Sequence, residues 1–194
     1  MSNGEYKVLA VIDMQNDFIT GSLGNEACKN VVPEVVKVVS AGDYDAVFLT
    51  RDTHDDNYLQ TQEGRKLPVI HTQKDTEGWQ IQEDVWKAAT ENYRDEQIQI
   101  IDKGTFGSEI LAAKLKEIGT KLEGKGTLQI DFVGVCTDIC VINNVFLAKA
   151  AVPEAAVRVI AGACAGVTPA SHQTALDAMG NCQIDIVETV SAGL

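Results

Sequence analysis

The chain is short of positive charge. Lys and Arg number 16 against 28 Asp and Glu, a formal charge of -12 at pH 7. Without a broad basic footprint there is little to neutralise a phosphate backbone or an anionic lipid surface, so neither nucleic acid nor membrane is an expected partner. Long apolar runs are absent too, none approaching the roughly 20 residues that span a bilayer. The opening stretch MSNGEYKVLAVIDMQ lacks a basic region leading into an apolar segment and a small-residue cleavage site. Cysteine is sparse, odd in number and scattered, at Cys28, Cys136, Cys140, Cys164 and Cys182. That pattern argues against a secreted disulfide framework and for free thiols in a reducing compartment, hence a cytoplasmic protein. No C-x-x-C pair occurs, which disfavours a zinc ribbon or a thioredoxin-like site.

What is present suits a folded domain. The 194 residues are 45% hydrophobic and 23% charged, which excludes disorder as the main state and fits a single domain over 1–194. Short apolar runs (Lys7–Ile12, Ala46–Thr50, Ile98–Ile101, Leu128–Val135, Val157–Ile160, Ile184–Val187) alternate with helix-like segments. This alternation predicts an α/β fold with six buried strands in a largely parallel sheet. Helices are predicted over Val31–Val39, opened by Pro33, and over Ser108–Ile118, Cys140–Lys149 and Ser171–Met179. Ser171 is the expected N-cap of the last and Gly180 its stop. The stretch 51–92 is polar, broken by Gly64, Pro68 and Gly78, and reads as a long insertion; Trp79 and Trp86 argue that it is ordered.

Four places carry chemistry. The first strand ends Val-Ile-Asp13-Met-Gln-Asn-Asp-Phe18, which puts Asp13 at the carboxyl edge of the sheet, as a base or as the cap of a turn. The fourth runs into Gly-Val-Cys136-Thr137-Asp138-Ile-Cys140-Val. With Asp138 as N-cap, Cys140 falls in a first helical turn, where the dipole and free N–H groups favour the thiolate. The plainer alternative makes Cys140 a small buried hydrophobe, a reading that suits Cys136 better. Lys103, between a strand and Gly104, can reach the same crevice as Asp13 or simply be solvated. In the insertion, Asp52, His54, Glu63 and His71 are nitrogen and oxygen donors suited to zinc, iron or manganese, unless they are unconnected surface residues. His172 opens a helix and reads as a packing or capping residue.

Taken together, the Asp13–Phe18 run, Lys103-Gly-Thr-Phe and Gly-Val-Cys-Thr-Asp-Ile-Cys140-Val resemble three segments of the isochorismatase-like cysteine hydrolases, and within them the nicotinamidases, over nearly the whole chain. The resemblance implies a three-layer α/β/α Rossmann-like domain with strand order 3-2-1-4-5-6. It implies Cys140 as nucleophile, Asp13 as general base and Lys103 as the cation holding them together. It also implies a non-proline cis peptide before Cys136, with the N–H groups of Cys136 and Cys140 as oxyanion hole. Asp52, His54, Glu63 and His71 would hold a divalent metal, zinc first with iron or manganese as alternatives, and Phe18 would wall the substrate pocket. Two positions depart from the pattern: Pro68 stands where an aromatic residue often precedes the last metal histidine, and Thr72 where a cysteine commonly follows it. The implied activity is hydrolysis of nicotinamide to nicotinate and ammonia through a thioester, by a homo-oligomer. Hydrolysis of another small amide or ureido acid, or a catalytically silent binding role, are the alternatives.

Overall fold

All six apolar runs form strands, and the chain alternates between them and helices. A computed structural model describes residues 4–41 and 43–189. In chain order the elements are β1 (Gly4–Ile12), α1 (Asn16–Ile19), α2 (Glu26–Ser40), β2 (Ala46–Asp52), α3 (Gln62–Lys66), α4 (Glu83–Asn92) and β3 (Ile98–Lys103). There follow α5 (Glu109–Leu122), β4 (Gly126–Val135), a π turn (Thr137–Val141), α6 (Ile142–Ala151), β5 (Ala156–Ala165), α7 (Pro169–Asn181) and β6 (Asp185–Val187). Among the described residues the strands form one sheet in the order β3-β2-β1-β4-β5-β6, every pairing parallel.

Both faces of the sheet are covered at its centre, so β1, β2, β4 and β5 are buried along most of their length, whereas the edge strands β3 and β6 are partly exposed, which corrects the expectation of six buried strands. Val8, Ala10 and Ile12 of β1 pack with Leu111 and Leu115 of α5, Val145 of α6 and Met179 of α7. Leu9 and Val11 point the other way, against Val31, Val35 and Val39 of α2 and Val85 and Ala89 of α4. Burying each such aliphatic side chain contributes about 1.5–3 kcal/mol, which makes β1 the anchor of both layers. The chain leaves β1 toward one edge and β4 toward the other. Their carboxyl ends therefore flank the crevice that open α/β sheets use for ligands.

Several boundaries differ from the sequence expectation for identifiable reasons. Helix α2 starts upstream, at the Asn25 cap whose side chain accepts the Cys28 N–H at 2.9 Å, and Pro33 lies in its interior. Helix α7 is capped by Thr168 rather than Ser171, with Pro169 in its first turn, and Gly180 lies within its last turn. The stretch 51–92 is not irregular throughout. Its last 10 residues are α4, which buries Val85, Ala88 and Ala89 against the α2 layer.

Candidate active site

Four neighbouring strands deliver four polar side chains to one edge of the sheet. Lys103 closes β3, Asp52 closes β2, Asp13 follows β1, and Cys140 follows β4 in the π turn. The β2–β3 ladder sets Asp52 directly beside Lys103.

Asp13 has a left-handed backbone, φ 48°, which aspartate tolerates better than most residues. Thr50 holds it twice: its hydroxyl oxygen accepts the Asp13 N–H at 3.1 Å, and the hydroxyl donates to Asp13 Oδ1 at 2.6 Å. Lys103 Nζ lies 2.7 Å from Asp13 Oδ2, 3.6 Å from Asp52 Oδ1 and 3.6 Å from Cys140 Sγ. All of this is buried. Burial pushes the Asp13 carboxyl above the ordinary aspartate value, with the Lys103 ammonium pulling against it. Burial likewise works against the Lys103 ammonium. Asp13, Cys140 and Asp52 outweigh it and hold the lysine firmly protonated.

The cysteine turn begins with a close approach. At Gly134, φ 116°, a Cβ would collide with the Ile12 carbonyl of the neighbouring strand, so glycine is required there. The Val135–Cys136 peptide is cis. The Cys136 carbonyl then accepts the N–H groups of Ile139 and Val141, each at 3.1 Å, which flank Cys140. This turn corrects the expectation that Asp138 caps an α-helix. Asp138 Oδ1 instead accepts the Val167 N–H at 3.0 Å and pins the β5–α7 loop. Cys140 is buried, and its thiol is not lowered as a helix start would suggest. Burial, and then the Asp13 carboxylate, push it well above the free-thiol value, with Lys103 opposing. His172, beyond packing, bonds the turn through Nδ1 to Thr137 Oγ1 at 2.8 Å. Asn144 Nδ2 donates to the carbonyls of Cys140 and Phe106, and its Oδ1 accepts the Ser108 N–H. That residue ties the loop after Lys103 to the cysteine.

A second cluster adjoins the first through Asp52, a strand residue rather than the loop residue expected. Its Oδ2 lies 3.0 Å from His54 Nε2 and 3.6 Å from His71 Nε2, while its Oδ1 faces Lys103. Glu63 Oε1 lies 3.6 Å and 4.0 Å from the same two nitrogens. One ligand atom each from Asp52, His54 and His71 falls within 4.8 Å of the others, a spacing that one cation can span. His71 Nδ1 is 2.7 Å from the Val69 carbonyl, so in the neutral ring it is the donor and Nε2 keeps its lone pair. His54 Nε2 is buried and faces the Asp52 and Glu63 carboxylates at ion-pair distance without a well-aligned hydrogen bond to either. Burial works against the His54 imidazolium, but Asp52 and Glu63 raise its pKa to about 9. Two imidazole nitrogens and two carboxylates facing one point fit a divalent cation.

Phe18 stands 5.7 Å from the His71 ring. Sequence reasoning missed Tyr58, whose ring lies 4.4 Å from His54 and 5.0 Å from His71 and whose hydroxyl donates to the Leu67 carbonyl. Its signal was available, since Tyr58 is the one aromatic between His54 and His71. Thr50 and Asn144 carry no comparable mark, and Gln15 stands out only as part of the Asp13–Phe18 run.

The isochorismatase domain model matches residues 7–191. The chain belongs to the isochorismatase domain family. Solved structures with this isochorismatase-type fold include nicotinamidase/pyrazinamidase PncA from Bacillus subtilis, with a TM-score of 0.79 and 22% identity over 94% of this chain and 100% of that one. The pyrazinamidase/nicotinamidase from Streptococcus mutans superposes with a TM-score of 0.78 and 23% identity, over 93% and 99% of the two chains. The pyrazinamidase of Pyrococcus horikoshii in complex with zinc gives 0.73 and 23%, over 93% and 98%. At these identities the likeness is one of fold. Among curated proteins no sequence matches. Among the described residues of this isochorismatase-family chain, no helix is long and apolar enough to cross a membrane.

Proposed function

We propose that the protein is a cysteine amidohydrolase that converts nicotinamide to nicotinate and ammonia. The observation that carries this reading is the buried chain of contacts from Asp13 Oδ2 to Lys103 Nζ at 2.7 Å and from Lys103 Nζ to Cys140 Sγ at 3.6 Å, beside a separate imidazole–carboxylate cluster. A thiol kept neutral by burial needs a base at the moment of attack. Asp13, with its carboxyl raised by the same burial, is matched to that task.

In the first half-reaction Asp13 takes the Cys140 proton as sulfur bonds to the amide carbon. The carbonyl oxygen gains charge, which the N–H groups of Cys136 and Cys140 are assigned to receive. Asp13 then gives its proton to the departing nitrogen, the C–N bond breaks, and ammonia leaves a thioester on Cys140. In the second half Asp13 takes a proton from water, the hydroxide oxygen bonds to the thioester carbon, and the C–S bond breaks. The proton returns to sulfur and the acid leaves. Lys103 stays protonated throughout and favours the ionised Asp13 from which each half-reaction starts, against the pull of burial.

Asp52, His54, His71 and Glu63 are assigned to a divalent cation, zinc first with iron or manganese as alternatives. When bound, such a cation supplies an exchangeable position for a ring nitrogen of the substrate. Phe18 walls the ring pocket beside His71. The enzyme is proposed as a single catalytic domain acting as a homo-oligomer, which light scattering tests. An ammonia-release assay with nicotinamide beside a panel of other small amides and ureido acids tests the activity. Turnover of nicotinamide that disappears on alkylation of Cys140 is expected. Ammonia from a ureido acid but not from nicotinamide would overturn the substrate, and full activity after alkylation would overturn the mechanism.

A further inference from the structure

The Asp13–Phe18 run does more than supply Asp13 and Phe18. Each polar side chain after Asp13 reaches across to residues 72–79 or to Asp52. Gln15 Nε2 donates to the carbonyls of Asp52 at 2.8 Å and Trp79 at 2.9 Å, and its Oε1 accepts the Asp52 N–H at 2.7 Å. Asn16 Nδ2 donates to the Glu77 carbonyl at 2.9 Å. Asp17 Oδ2 accepts the Thr72 N–H at 2.7 Å.

Thr72 is the unusual member of this set. It is fully buried with φ 43°, a left-handed backbone that a β-branched side chain rarely adopts. Glycine would take that backbone without strain, yet the position carries a hydroxyl, and the hydroxyl donates to Asp52 Oδ2 at 2.9 Å. Oδ2 is the oxygen that faces His54 and His71. Gln15 already fixes the Asp52 backbone from both sides. What remains is rotation of the carboxylate about its own bonds, and the Thr72 hydroxyl removes it. Strain held at such a point marks a place where geometry matters to function.

We propose that Thr72 is a positioning residue of the cation site: held by Asp17, it locks the Asp52 carboxylate so that one oxygen faces the two histidines and the other faces Lys103. The inference rests on the cation reading of that cluster. The hydroxyl proton occupies one lone pair of Oδ2 and leaves the other for a cation, so Asp52 binds through one oxygen while Oδ1 stays with Lys103. Partners of this kind typically change metal affinity by about 10- to 100-fold.

The test is zinc affinity of the full chain, measured by competition with a chromophoric chelator and independent of turnover. Thr72→Val keeps the shape and loses the hydroxyl, and is expected to weaken zinc about 10- to 100-fold. Thr72→Ser keeps the hydroxyl and is expected to bind as the wild type does. Thr72→Gly relieves the backbone strain and covers the case in which the valine variant does not fold. It is expected to melt no lower than the wild type yet to bind zinc as weakly as the valine variant. Undiminished affinity in Thr72→Val or Thr72→Gly, or a loss in Thr72→Ser equal to theirs, overturns the role of Thr72 and leaves the cation site standing. A wild-type chain that takes up no zinc, iron(II) or manganese overturns the cation site, and the role of Thr72 with it.

Discussion

Lys103, Asp52, Asp13 and Cys140 stand at the ends of four adjacent strands, whereas His54, Glu63 and His71 hang from the segment between β2 and α4. The first group is placed by ladder register and by core packing on both sides of β1. The second is placed by individual bonds: His71 to the Val69 carbonyl, the Asn16 and Asp17 contacts, and Trp79 Nε1 donating to Thr53 Oγ1 at 2.8 Å under the Arg51 guanidinium. A site divided in this way separates the reacting groups, which tolerate no displacement, from the groups that grip and orient a ligand. Damage to the two halves therefore has different symptoms.

The sharpest contrast is in steady-state kinetics of ammonia release. Cys140→Ala is expected to lower kcat by about 10⁴-fold or more, as loss of a nucleophile does. His71→Ala is expected to act mainly on KM, by about 10- to 100-fold. Equal effects on kcat would erase the division. Urea unfolding gives the next largest difference. Lys103→Met leaves Asp13 and Asp52 buried without their cation and is expected to cost about 3–5 kcal/mol, more than His71→Ala costs in metal-free protein. The pH dependence of Cys140 alkylation follows. The wild-type midpoint is expected above the ordinary thiol pKa of about 8.5, because burial and the Asp13 carboxylate both disfavour the thiolate. Asp13→Asn removes one of those two causes and leaves Lys103 in place, so the midpoint should move to lower pH even as turnover is lost. Movement to higher pH would show that Asp13 does not hold the thiol proton. The smallest effect belongs to Trp79→Phe, which deletes the bond to Thr53. It is expected to cost about 0.5–1.5 kcal/mol and to leave alkylation of Cys140 unchanged.

The strand-borne half was also the more readable. Asp13 and the cysteine turn end long apolar runs, so their place at the sheet edge followed from the runs themselves. Lys103, between a strand and Gly104, reads equally well as a solvated lysine until its resemblance to a family segment is added; its role depends on a contact with Asp13 across two intervening strand pairings. The run Ala46–Thr50 hid the end of β2, because Arg51 and Asp52 look like loop residues. Arg51 in fact pairs with Asp102 of β3 and stacks on Trp79, and Asp52 continues the ladder. Helix α4 went unread because its buried face is only Val85, Ala88 and Ala89, while Trp86 points outward at 38% exposure. Asp138 looked like an N-cap by composition, but a π turn moves the helix start to Ile142. In the sequence Thr72 marks only a departure from the family pattern, since its backbone angle and its reach to Asp52, twenty positions back, have no local signature.

The central position of β1 also governs when the site can exist during synthesis. Its first partner begins at Ala46, but its second, β4, pairs from Gly126 opposite Gly4. Until that strand has left the ribosome, Val8–Ile12 form an open, apolar strand edge, the kind of surface that other chains add to. Cys140 follows only a few residues later, so the growing polypeptide carries base and ammonium group well before it has a nucleophile to serve, and the step that closes the vulnerable edge also brings the last reacting atom within reach.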